Sequence, residues 1–231
     1  MIKPLIMAIL NITPDSFYDG GLYLDPEKAL DHAYELIAQG ADIIDIGAES
    51  TRPGAIKITE EEELKRIIPA LKKIRENINA KISIDTYKSK VAEECLDLGA
   101  NIINDVYDKD KNMMNVIKKY KCPFVKMHCE ELSSNDIANE LKEYFLSYIN
   151  SLSEKMEVIF DPGIGFNKTP EQNWILMNNI ENLKVSGYPL LVGASRKTFR
   201  DSQGRRKKRS SVLELSKMAD IIRVHTVGEL K

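Results

Sequence analysis

Two absences narrow the reading before any motif does. No apolar run approaches the ~20 residues that span a bilayer, and no charge of one sign is in surplus. The apolar run from Leu5 to Leu10 leads straight into a polar loop with no small-residue cleavage site, which excludes a signal peptide. The formal net charge is only −2, whereas a general nucleic-acid binder is clearly basic. Cysteine is scarce: Cys95, Cys122 and Cys129 are an odd number without metal-ligand spacing, and read as reduced, partly buried thiols in the cytoplasm. There is no internal repeat and no low-complexity linker. What is present is a chain of 231 residues, 43% hydrophobic and 29% charged, which suits one globular domain over residues 1–231 in the size range of an α/β barrel.

Short apolar runs alternate with helical patterns along the whole chain. Strand-length runs occupy Leu5 to Leu10, Asp42 to Gly47, Lys81 to Asp85, Ile102 to Val106, Pro123 to Met127, Val158 to Asp161, Pro189 to Ala194 and Asp220 to Val224. Between them lie helix signals: Asp25 before Pro26, with Gly40 closing; Thr59 with Glu62 as a capping box; Thr169 before Pro170; and a long pattern from Asp136 to Glu154. About eight such alternations are the repeat of a TIM-type (β/α)8 parallel barrel. The run Gly204 to Arg209 is strongly basic and reads as a solvated loop or the approach to a helix.

Nearly every strand run ends in a polar residue, and in a parallel barrel all those ends share one face. Asn11, Thr51, Arg52, Asp85, Asn104, His128, Asp161, Lys197, Arg223 and His225 thereby become one constellation. Thr51, Arg52, Arg223 and His225 suit a phosphate or pyrophosphate. Asn11 can coordinate a hard cation such as Mg²⁺ while phosphate and water fill its other positions. Asp85, Asn104 and Asp161 suit a flat heterocycle whose amino and ring N–H groups satisfy otherwise costly carboxylates, with Lys197 donating from the opposite edge.

The motifs NITPDSF, ESTRPGA, SIDT, IIND, MH, DPGIGF, SRK and RVH, in that order and over nearly the whole chain, resemble the dihydropteroate synthase family. The resemblance implies a transferase of folate biosynthesis. It would condense 6-hydroxymethyl-7,8-dihydropterin pyrophosphate with p-aminobenzoate, with Mg²⁺ as cofactor. Asp85, Asn104, Asp161 and Lys197 would hold the pterin, with Met127 of the MH motif among the substrate-binding residues. Asn11, Thr51, Arg52, Arg223 and His225 would hold pyrophosphate and Mg²⁺. Phe17, Pro53, Phe166, Lys197 and Thr198 would line the p-aminobenzoate pocket, where sulfonamides also bind. Lys197, Asp85, Asp161, Arg223 and His225 are the residues expected to carry the reaction.

The chain departs from the family pattern at Ala48, Ile164, Thr198 and Thr226, and the segment from Lys197 to Arg223 is short and basic. It stops at Lys231, where the family continues into an eighth helix, so the resemblance implies a barrel with its final helix truncated or missing. Family members pair through helices on the late side of the barrel, which implies a homodimer. Two alternatives share the pterin-holding acids: a folate-binding methyltransferase barrel and a non-catalytic pterin-binding paralogue. The first has no reason to keep Thr51-Arg52 and Arg223-x-His225.

Overall fold

A computed structural model describes residues 3–12, 25–49, 57–105, 107, 109–134, 136–195 and 197–230. Eight strands run parallel: β1 (Leu5–Asn11), β2 (Ile43–Gly47), β3 (Lys81–Asp85), β4 (Ile102–Asp105), β5 (Phe124–Met127), β6 (Val158–Asp161), β7 (Leu191–Val192) and β8 (Ile221–Val224). Their order is β6-β5-β4-β3-β2-β1-β8-β7, and Phe160 bridges Leu190 in parallel, so the two sheet ends meet in a nearly closed barrel. The helices between them are α1 (Pro26–Ala38), α2 (Glu60–Asn77), α3 (Ser89–Asp97), α4 (Met113–Tyr120), α5 (Ile137–Ser151), α6 (Pro170–Asn178), α7 (Ile180–Leu183) and α8 (Arg209–Ser216). After β8 the described residues form a short 3₁₀ turn, Val227–Leu230.

Helix starts follow local chemistry. The Asp25 carboxylate accepts from the Glu27 N–H at 3.0 Å, and Pro26 takes a position whose N–H has no intrahelical partner. Thr169 and Gln172 form a reciprocal capping box. The box expected at Thr59 is only half made. Thr59 accepts from the Glu62 N–H, but the Glu62 carboxylate turns instead to Arg66, at 2.8 Å one helical turn on.

Strand β7 is shorter than its apolar run. Two residues pair in register, because Ala194 already accepts from the Lys197 N–H in the turn that follows. The basic run is a short reversal in which Arg200 and Arg206 bridge in antiparallel fashion. Asp201 holds it through Arg205 at 2.9 Å and Lys207 at 2.8 Å, and α8 follows at once.

Strands alternate their side chains between two faces, and that alternation builds two cores. Inside the barrel, Met7, Ile43, Ile102, Val125, Ile159, Leu191 and Ile221 form a buried apolar plug to which seven strands contribute one residue each. Outside it, residues such as Ile44, Ile46, Ile82 and Ile84 pack with Ala33, Leu36, Ile67 and Leu71 of the helices. Near the β6–β7 seam, Phe145 stacks on Phe160 at 4.3 Å, with Tyr148 and Tyr188 against the same ring.

Between β2, α2 and α3 the ammonium of Lys88 is buried against two carboxylates, Glu49 and Glu63. Glu49 also accepts from the Tyr87 hydroxyl at 2.8 Å and from the Ile58 N–H at 3.3 Å. Removing one partner of such a cluster leaves the others uncompensated, at a cost of about 3 kcal/mol or more. Lys88→Met is therefore expected to lower the unfolding free energy by at least that much in urea titrations. A loss under 1 kcal/mol would mean that the carboxylates find other partners.

Candidate active site

Moving two residues along each strand keeps the side chain on the same face. Above the apolar plug, the inward positions are therefore Asp45 on β2, Asn104 on β4, Met127 on β5, Asp161 on β6 and Arg223 on β8. Asp85 is two residues beyond Ser83, the register partner of Ile102. Asn11 and His225 come four residues beyond Met7 and Ile221. Seven expected residues, Asn11, Asp85, Asn104, Met127, Asp161, Arg223 and His225, thus share the inner face and the C-terminal end. Thr51, Arg52, Phe17 and Pro53 lie outside the described residues.

A single hydrogen-bonded cluster fills the centre. Arg223 donates through Nε to Asp45 Oδ2 at 2.7 Å and through Nη2 to Asp85 Oδ2. Asn104 Nδ2 donates to the same Asp45 oxygen at 3.2 Å. Asp45 Oδ1, Asp85 Oδ1 and Ser83 Oγ are buried with no hydrogen-bond partner among the described residues. A buried unpaired polar atom is costly, so this cluster holds its carboxylates under-compensated. Burial pushes the Asp85 carboxyl above the usual carboxylate range, with Arg223 pulling the other way and Asp45 adding to the rise. Asp161 is likewise raised by burial, although its Oδ1 accepts from the Gly163 N–H at 2.7 Å.

The loop after β6 closes one side. Gly163 has φ +65°, and a Cβ there would lie 1.9 Å from the His128 carbonyl oxygen, so no other residue fits. At Gly165 (φ +81°) a Cβ would meet Lys197 Cδ at 2.6 Å, so this glycine leaves the path along which the lysine reaches the site. Lys197 Nζ lies 4.4 Å from the centre of the Phe166 ring. Burial lowers the Lys197 pKa, and the Asp161 charge opposes that. Lys168 Nζ ties the loop to β5 by donating to the carbonyls of His128 (3.0 Å) and Phe166 (3.1 Å), and burial brings its pKa down to about 8. Beside Lys197, a cavity of about 300 Å³ is lined in part by Thr198, Ser195 and Arg206. The Ser195 hydroxyl is 3.2 Å from His225 Nδ1.

Asn11 ends β1 beside Gly47, where a Cβ would come within 3.8 Å of the Asn11 carboxamide oxygen. Gly47 has no side chain to lie against that oxygen. Among the described residues no group of three or more His, Cys, Asp or Glu could hold a metal. Such a site fits a hard cation that takes one protein oxygen and the rest of its ligands from phosphate and water.

A family model for pterin binding enzymes matches residues 7–225. The chain belongs to that family. A dihydropteroate synthase of Clostridium beijerinckii is 48% identical over 85% of this chain and 76% of its own length. Among solved structures, the Clostridium difficile dihydropteroate synthase with pteroic acid is 40% identical, with a TM-score of 0.83, covering 99% of this chain and 93% of its own. The Xanthomonas albilineans enzyme with 4-aminobenzoic acid is 32% identical, with a TM-score of 0.86, covering 99% and 90%.

Within this pterin binding enzyme two departures from the family pattern fall in well-packed places. Ile164 and Ala48 are both buried in the core. The inward residue that motif reading passed over is Asp45, which sits mid-strand in DIIDIG; alternation counted back from Gly47 finds it. His128, at the end of β5, is buried edge-on against Tyr144 at 4.7 Å, with Nδ1 unpartnered among the described residues. Burial foremost, with the nearby Lys168 charge, lowers its pKa to about 4, against an ordinary value of about 6.5. Folding therefore favours the neutral ring. That contribution is complete above pH ~6.5 and is lost as pH falls toward 4, to a limit of about 3 kcal/mol. Urea titrations at pH 7 and pH 4.5 are expected to show a smaller acid loss in His128→Gln than in the parent. Equal losses would place the titrating groups elsewhere.

Proposed function

We propose that the chain joins 6-hydroxymethyl-7,8-dihydropterin pyrophosphate to p-aminobenzoate, releasing pyrophosphate and forming 7,8-dihydropteroate. The observation that carries this reading is the set of buried polar side chains at the strand ends, Asp85, Asn104 and Asp161, with Lys197 near enough to Asp161 to act on its charge. The amino and ring N–H groups of a pterin would satisfy Asp161 and Asp85, and Lys197 would donate to the opposite edge of the ring. Met127 would pack against the ring. His225, with Thr51 and Arg52, would hold the pyrophosphate. Arg223 has no protein partner for Nη1 among the described residues, and that N–H remains for the substrate.

Departure of pyrophosphate is the demanding step. Cationic side chains neutralise the charge that gathers on the leaving group, and Asn11 would hold Mg²⁺, which when bound supplies further neutralisation. The pterin methylene left behind is cationic and delocalised into the ring, next to Asp85 and Asp161. p-Aminobenzoate then attacks with its amine from the pocket of Phe166, Lys197 and Thr198, with Phe17 and Pro53 as its other walls by family resemblance. A weakly basic arylamine loses its proton readily, so no strong base is required. Sulfonamides, as analogues of p-aminobenzoate, would compete there.

We also infer a homodimer and a cytoplasmic setting. The three cysteines are unpaired, which suits a reducing compartment, and no helix among the described residues is long and apolar enough to cross a membrane. Light scattering at micromolar concentration tests the dimer. A folate-dependent methyltransferase remains the second reading only if the pyrophosphate half is inert. A single-turnover assay with the pterin pyrophosphate and p-aminobenzoate separates the two. Dihydropteroate with stoichiometric pyrophosphate is expected, and no product would overturn the proposal. Within that assay, His225→Ala is expected to raise KM for the pterin pyrophosphate while binding of bare 6-hydroxymethylpterin is unchanged. Asp161→Asn is expected to weaken bare pterin roughly ten- to a hundred-fold, the usual loss for a charge-assisted hydrogen bond. Identical behaviour of the two variants toward both ligands would refute this division.

A further inference from the structure

We propose that Asp45 is a positioning residue for the reaction: from below, it tethers the Arg223 guanidinium and the Asn104 carboxamide and so fixes both beside the pterin site. The inference rests on the pterin reading above. Its basis is the uneven way in which Arg223 is shared. The guanidinium gives Nε to Asp45 and only Nη2 to Asp85, while Asp85 Oδ1 stays buried and unpartnered among the described residues. Arginine facing a lone carboxylate prefers the two-pronged pairing, in which both oxygens accept. Without a second acceptor at Nε the guanidinium would swing onto both oxygens of Asp85 and leave its present place.

Asp45 itself lies too deep to bind the ligand. It has no solvent exposure and sits two residues below Gly47, which is in register with Asp85. Gly47 contributes no side chain at the level of the ligand, so β2 acts there only through what Asp45 holds from below. The same Asp45 oxygen accepts from Asn104 Nδ2, so one carboxylate orients two pterin-site residues on two different strands. Its other oxygen has no partner among the described residues, which leaves the carboxylate bound only to the groups it orients.

The test is a double-mutant cycle read by calorimetry with 6-hydroxymethylpterin as the probe. Asp45→Ala in the parent protein is expected to weaken the probe about ten-fold. In an Arg223→Met background the same change is expected to cost clearly less, because only Asn104 then remains for Asp45 to hold. Asp45→Asn keeps the shape and an oxygen for Nε; it is expected to lose less, and it carries the cycle should Asp45→Ala fail to fold. In that variant KM for p-aminobenzoate at saturating pterin pyrophosphate should be unchanged. Equal losses in both backgrounds, or an unchanged affinity in the parent, would overturn the tether and leave Asp45 a packing residue. Failure of the parent protein to bind 6-hydroxymethylpterin at all would instead overturn the pterin reading, and this inference with it.

Discussion

The mouth of this barrel depends on one guanidinium shared by two carboxylates. Asp45 and Asp85 are each buried on the inner face, and each would cost several kcal/mol if left ionised and alone. Arg223 reaches both from β8, three strands away from β3 in the order of the sheet. The pairing therefore compensates the charges and also spans β8, β1, β2 and β3 from within. The apolar plug beneath shuts the opposite end off from the site, so these charges act in a poorly screened interior.

The same pair of strands is fastened from outside. Lys88, just beyond β3, lies between Glu49, just beyond β2, and Glu63 on α2. Arg223 on the inner side and Lys88 on the outer side thus clamp the C-terminal ends of β2 and β3 between them. Glu49 also receives the Ile58 N–H, so the residues on either side of segment 50–57 are tied to one carboxylate. That segment contains Thr51, Arg52 and Pro53, the residues that family resemblance gives to pyrophosphate and p-aminobenzoate.

Much of this was legible in the sequence, for a physical reason. The bounds of β3 and β6 match the apolar runs Lys81 to Asp85 and Val158 to Asp161, because each run ends in a carboxylate that must leave the plug and enter the site. Alternation then fixed which strand residues face inward. Depth was harder to read. Arg223 reads as a phosphate ligand in the string RVH, and nothing in a motif reports that its guanidinium also pairs with Asp45 and Asp85. Asp45 escaped notice because attention to strand ends passes over a mid-strand acid. The basic run does lead into a helix, α8, whose start carries no clear signal because Lys208 offers no side-chain cap. The shortness of β7 follows from a tertiary turn that propensity does not encode.

The charge balance of the cluster bears on the reaction. Three inner carboxylates, Asp45, Asp85 and Asp161, lie with three cations, Arg223, Lys168 and the half-buried Lys197, all of which act on Asp161. Burial moves each type toward neutrality, raising Asp85 and Asp161 and lowering Lys197, so the resting site holds its charges reluctantly. On the proposed reading, a neutral heterocycle rich in N–H donors would meet these carboxylates without altering the balance. Loss of pyrophosphate would then create a positive ring beside Asp85 and Asp161. Because the carboxylates are already held by Arg223, Asn104 and the Gly163 N–H, they need not reorganise when that cation appears. The same fixed carboxylates that burial makes costly to ionise would thus be the groups that favour the charged state of the reaction.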